Sequence, residues 1–120
     1  MDVFKEVYTS SQGTIKAMAT DQVGRDGSHH HYKIAHAPTF GAPTIDLGIV
    51  KFQDGDPNQV GVNGVSDQAM LCIVADHLEG FERGPYACEA NRQASYHIRE
   101  AIRWLKQRPM LTAPAQGTAP

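Results

Sequence analysis

Residues 66–108 constrain the fold most, because they carry two apolar stripes at helical spacing with a Gly-Pro corner between them. Asn63-Gly64 reads as a turn, Ser66 is placed to cap exposed N–H groups, and Asp67 suits the positive end of a helix dipole. Val65 and Met70 have the spacing of a hydrophobic staple across that cap. Met70, Ile73, Val74, Leu78 and Phe81 then recur at three- and four-residue steps, which predicts one buried face, with Asp67, Asp76, Glu79 and Glu82 largely on the others. Gly84-Pro85 is expected to end this helix and begin the next, giving a tight antiparallel hairpin. The second helix places Cys88, Asn91, Ala94 or Ser95, Ile98, Ala101 or Ile102, and Leu105 in near-heptad register, and Pro109 stops it.

Asn91 departs from that stripe, since the register asks for an apolar side chain there. A buried amide without partners costs about 1–3 kcal/mol, so it must bond something. One reading has Asn91 bond the hairpin corner or fix register; the other makes it a ligand contact. Phe81 ends the preceding helix near the same corner, and an aromatic face beside an amide suits a nucleobase as well as a small core.

The 120 residues fit one domain over 1–108, with 1–65 mainly β, 66–108 the hairpin and 109–120 a flexible tail rich in Pro, Ala, Thr and Gly. A formal charge of −2 argues against a large footprint on duplex nucleic acid, although Arg92, Arg99, Arg103, Lys106 and Arg108 form a local cationic run suited to the phosphates of a small ligand. With no membrane-spanning run and no basic-then-apolar leader, a soluble cytosolic protein is expected. Cys72 and Cys88 lack metal-motif spacing and read as packing residues.

The N-terminal half reads as strands. Val3, Phe4, Val7 and Tyr8 permit a helix, but the turn-like Thr9–Thr14 favours a hairpin, and Asp21–Ser28 with Gly24 and Gly27 reads as a mobile loop. His29-His30-His31 and His36 suggest metal at first sight. Adjacent side chains of an extended segment face opposite ways, and no carboxylate or cysteine stands at metal spacing. A solvated strand edge or a remnant of cloning is therefore expected, and no metal. His77 and His97 read as packing or surface residues of the helices.

Tyr32–Ala35 and Thr44–Phe52 are strand-like, with Gly48 marking a bulge. Asp54–Asn58 reads as a loop, Val60–Val62 as a short extended piece. Strands first and helices last predict an α+β fold: a small N-terminal antiparallel sheet packed on a C-terminal antiparallel two-helix hairpin.

No catalytic motif is present: no G-x-S-x-G, H-E-x-x-H, P-loop or dinucleotide fingerprint. Glu82, Glu89 and Glu100 lie on helical faces where carboxylates are ordinarily solvated charge. Binding is expected, without catalytic residues or cofactors.

The run Val60–Val65 (V-G-V-N-G-V), then D-H-L-E-G-F (76–81), G-P-Y-A-C-E-A-N (84–91), E-A-I-R-W-L (100–105) and Arg108 resembles the phage anti-Thoeris sponge family over about residues 45–108. That family shares a helical hairpin with phage anti-CBASS sponges. The resemblance implies a non-enzymatic homo-oligomer in the cytoplasm of the infected host that binds cyclic ADP-ribose isomers and hides them from Thoeris effectors. Some relatives also hold cyclic di- or trinucleotides. It implies no membrane and no duplex nucleic acid as partners. The family's ligand contacts fall on Phe81, Asn91 and Arg108.

Two departures bear on ligand identity and affinity. Pro109 replaces the family's small polar residue, and Thr112 stands where relatives often carry another basic residue, so fewer cations surround a pyrophosphate. Two alternatives remain open: an interaction hairpin without a small-molecule ligand, and an enzyme that degrades the signal. Asn91 and Arg108 are seventeen residues apart, roughly 25 Å along a straight helix, so a ligand touching both needs Arg108 from a second copy. A homodimer is the expected minimal binding unit, with a hexamer as a further assembly.

Overall fold

Four strands build the first half of the chain, and two long helices build the second; the computed structural model describes residues 5–38 and 43–109. The expected flexible tail beyond Pro109 lies outside these residues, as do Val3 and Phe4. The layout is α+β, as the order of patterns predicts. It divides into two compact units, Met1–Gly64 and Val65–Pro120.

In the first unit β1 (Lys5–Thr9), β2 (Ile15–Ala19), β3 (His31–His36) and β4 (Ile45–Lys51) pair antiparallel in the order β1-β2-β3-β4. The expected β1–β2 hairpin is present, closed by Gly13 N donating to the Ser10 carbonyl at 2.8 Å and Ile15 N to Ser10 Oγ at 3.1 Å. The bulge expected at Gly48 falls beside it: Ile34 pairs with Gly48 and Ala35 with Asp46, leaving Leu47 as the extra residue. A second irregularity at Val7 between Glu6 and Tyr8 has no glycine to announce it. Ala19 and Ala35 are buried, and the Tyr32 ring meets the edge of Phe52 at 5.7 Å.

Two expectations fail between β4 and the helices. Asp54–Asn58 is not simply a loop, because α1 (Pro57–Val60) forms one helical turn with Asp56 Oδ1 accepting from Asn58 N at 2.9 Å. Val60 therefore ends a helix rather than starting an extended piece. An Asp-Pro pair at cap and first position was the signal, and it outweighed the strand-like Val-Gly-Val. Gly64 serves a close approach: a Cβ there would sit 2.6 Å from Gln53 N and nearer still to the Phe52 carbonyl. Asn63 closes the same turn, its amide exchanging two 2.8 Å bonds with the Asp54 backbone.

The second unit is α2 (Asp67–Glu82) and α3 (Glu89–Gln107). Ser66 caps α2 as expected, its Oγ accepting from Ala69 N at 3.1 Å. The second helix starts later than Gly84-Pro85 predicts: Arg83–Cys88 form the corner, and Cys88 Sγ caps α3. On α3 the expected seam holds at Ser95 and Ile102, which are buried, with Ile98, Ala101 and Leu105 half-buried. On α2 the expected buried face is corrected. Ala75 is the buried residue, whereas Ile73 is 64% exposed and Val74 is also exposed. Small Ala75 lets the helices approach, and the Glu79–Arg99 pair takes the next turn of that face, so the β-branched pair is left on the outside.

Candidate functional site

The corner between α2 and α3 gathers the rings of His77, Phe81 and Tyr86, and the Asn91 amide bonds the backbone of that turn. Phe81 sits half-buried in the last turn of α2, with its ring 4.8 Å from His77 and 6.3 Å from Tyr86, both edge-on. Asn91 stands in the first turn of α3 and donates from Nδ2 to the Tyr86 carbonyl at 3.3 Å, while its backbone N–H donates to Cys88 Sγ. Tyr86 thus links the two predicted residues. It is itself largely exposed and was not read from the sequence as a site residue, and His77 was read as a packing or surface residue. The signal was available: a large aromatic in a Gly-Pro turn has no core to fill. Of the two readings of Asn91, the corner bond is present; it leaves the amide oxygen as an acceptor.

Arg108 lies at the other end of the hairpin. It follows the last turn of α3 and pairs at 3.5 Å with Asp67, the first residue of α2. Phe81 and Asn91 therefore share one end of the helix pair and Arg108 occupies the opposite one. Over the 19 residues of α3 the axial rise is about 28 Å, so a compact nucleotide does not reach from Asn91 to Arg108 within one chain.

The cationic run is less available than its sequence suggests. Arg92 pairs with Glu89, Arg99 with Glu79, Arg103 with Glu100 and Arg108 with Asp67. Bonds from Gln93 and Arg92 hold the Glu89 carboxyl below its ordinary range, and the Arg99 guanidinium does the same to Glu79. Each of these four arginines offers a phosphate only the N–H groups that its carboxylate partner leaves free, unless that partner is given up. The exposed Asp67 partner makes that exchange straightforward at Arg108.

The histidine run also differs from expectation. His31 is exposed, but His30 is 4% exposed and not a solvated edge. Its Nε2 donates to Asp26 Oδ2 at 2.8 Å and lies 3.7 Å from Asp54 Oδ1. His29 Nδ1 donates to the Asp21 carbonyl at 2.7 Å. The loop expected to be mobile is thereby tied at both ends, with Gly24 N donating to the Ser28 carbonyl across it. One carboxylate, Asp26, stands four residues before His30, and the topology supplies the other, Asp54. Burial alone pushes Asp26 up, but the Ser28 N–H and the His30 ring outweigh it and hold its pKa below the ordinary value.

The fold class is a small α+β protein ending in an antiparallel helical hairpin, and among the described residues no helix is long and apolar enough to cross a membrane. No protein-family profile matches the chain. It is 32% identical over 62 residues to Thoeris anti-defense 1 of Bacillus phage SBSphiJ7, a stretch covering 52% of this chain and 44% of that relative. The match thus spans less than half of the relative's length.

Proposed function

We propose that the chain is a phage anti-Thoeris sponge that binds cyclic ADP-ribose isomers in the host cytoplasm and withholds them from the effector without cleaving them. The observation that carries this reading is the hairpin corner, where the Phe81 and Tyr86 rings meet edge-on and the Asn91 amide bonds the Tyr86 backbone, in a chain similar to Thoeris anti-defense 1. In this scheme an adenine stacks on the corner aromatics, the Asn91 oxygen accepts from the base or ribose, and Arg108 exchanges Asp67 for the pyrophosphate. Because Arg108 is at the far end of its own hairpin, it comes from a second copy running antiparallel. Ile73, Val74, Tyr96 and Trp104 stand exposed on the hairpin, an apolar surface suited to that second copy. The dimer is the minimal binding unit, and a hexamer its further assembly.

The test is to mix the protein with a cyclic ADP-ribose isomer, remove free ligand, heat-denature the protein and analyse the supernatant. Intact ligand released only by heat is the expected result. Hydrolysis products identify an enzyme instead, and ligand that is never depleted rejects both. Cyclic di- and trinucleotides, the ligands of CBASS signalling, belong in the same assay as a second ligand class. One observation favours an interaction hairpin without a ligand: Asn91 already satisfies the Tyr86 carbonyl. That reading expects no depletion of any nucleotide.

A further inference from the structure

We infer that His30, Asp26 and Asp54 form a binding site for one divalent transition-metal ion in the sheet-bearing unit. Two stretches far apart in sequence converge there: the β2–β3 loop, which carries Asp26 and His30 four residues apart, and the turn after β4, which carries Asp54. Their donor atoms all lie within 4.8 Å of one another. An ion with ligands at about 2.0–2.2 Å accepts that set after a small closure of the two carboxylates.

The imidazole is positioned before any ion arrives. His30 N donates to Asp21 Oδ2 at 2.9 Å, and its carbonyl accepts from Phe52 N at 2.8 Å, so the backbone is held from two sides. The ring packs against Gly24, where a Cβ would stand 3.1 Å from Cε1. It is buried, yet Nε2 faces the exposed Asp26 and Asp54 carboxylates, through which an ion and its waters gain access. Asp54 is held in turn by the Asn63 amide through its backbone.

The arrangement brings two carboxylates to one imidazole nitrogen. A neutral imidazole gives its one Nε2 proton to Asp26 and has none for Asp54, whose carboxylate has no hydrogen-bond donor among the described residues. Two like charges therefore converge on one nitrogen. A divalent cation satisfies both: Nε2 releases its proton to water, Nδ1 takes one up, and the Nε2 lone pair and two carboxylate oxygens become ligands. One imidazole nitrogen with two oxygens suits Zn2+ or Mn2+ rather than Ca2+ or Mg2+. The exposed His31 and the half-buried His36 are not members of this set.

The experiment is calorimetric titration of the EDTA-treated full chain with ZnCl2 and with MnCl2, repeated on Asp54→Asn and His31→Gln. Asp54→Asn removes a ligand but keeps the His30–Asp26 hydrogen bond, and its circular dichroism spectrum should match the parent. The expected result is one saturable ion per chain, weakened about tenfold or more in Asp54→Asn and preserved in His31→Gln. Absence of saturable binding by either ion overturns the site, and so does unchanged affinity in Asp54→Asn. Loss in His31→Gln with retention in Asp54→Asn assigns the ion to the exposed histidine run and equally overturns it. None of these outcomes depends on cyclic nucleotide binding.

Discussion

The Glu79 carboxylate takes both Nε and Nη2 of Arg99, at 2.7 and 2.9 Å, and also accepts from Ser95 Oγ at 3.5 Å, so one acidic side chain on α2 fastens two turns of α3. The two-pronged geometry fixes the helix register as well as the charge. Arg99 and Ser95 bonds hold the Glu79 pKa below the ordinary glutamate value of 4.5. The unfolded chain therefore takes up this proton at higher pH than the folded one. Stabilisation is fully present above about pH 4.5 and is lost as the pH falls through the lower folded value. Glu79→Gln should lower the thermal midpoint at pH 7 and flatten its acid dependence. Parallel curves for parent and variant between pH 6 and pH 3 would show that the pair does not fasten the hairpin.

Gly64 offers a backbone test in the other unit. The Cβ of alanine would collide with the Phe52–Gln53 peptide, which is main chain and has no rotamer to give way. Gly64→Ala should cost about 1–3 kcal/mol in urea unfolding, a value typical of overpacking at a fixed contact. Gly48→Ala is the control, since a Cβ there meets nothing within 4 Å. Equal stability of the two variants would mean that the turn opens readily.

Legibility followed local signals. Ser66, Asp67 and the stop before Pro109 located the helices because caps and breakers act within a few residues. The β1–β2 hairpin was written in its turn residues, and β3, β4 and the bulge beside Gly48 in strand-like patterning and a missing side chain. What failed depends on partners that spacing does not name. The α2 stripe placed Ile73 and Val74 inside because it scored hydrophobicity, whereas helix approach selected the small Ala75. His30 read as solvated because the loop that folds the local Asp26 onto it has no period, and because Asp54 is distant in sequence and reaches it only through the β3–β4 pairing. At the corner, Phe81 and Asn91 were legible from register, while Tyr86 sits in an irregular turn where no period applies.

Asn91→Ala separates binding from folding at that corner. Its amide makes one hydrogen bond, to the Tyr86 carbonyl, so the stability cost should stay near 1 kcal/mol while affinity for a cyclic ADP-ribose isomer falls about tenfold. Phe81→Ala should remove about 1–3 kcal/mol of stacking, with Phe81→Leu as the variant that keeps bulk without the ring. Calorimetry and thermal midpoints together decide: normal affinity in Asn91→Ala leaves that residue a structural role only.

Assembly is tested by complementation, because the two halves of the proposed pocket sit at opposite ends of one hairpin. Phe81 and Asn91 flank the corner, whereas Arg108 pairs with Asp67 at the open end, and α3 between them is unbroken from Glu89 to Gln107. Both ends serve one ligand only if a second hairpin runs antiparallel to the first, and a two-fold axis supplies that arrangement with two equivalent pockets. Asn91→Ala and Arg108→Ala homo-oligomers should then each lose affinity at every pocket. After subunit exchange, each heterodimer carries one pocket with both substitutions and one with neither. Binding should return with parental affinity at one ligand per heterodimer, half the parental count. Exchange is verified by mass-tagging one chain before titration. No recovery despite verified exchange would remove Arg108 from the shared pocket, and a monomer that binds as tightly as the parent would reject the two-chain site outright.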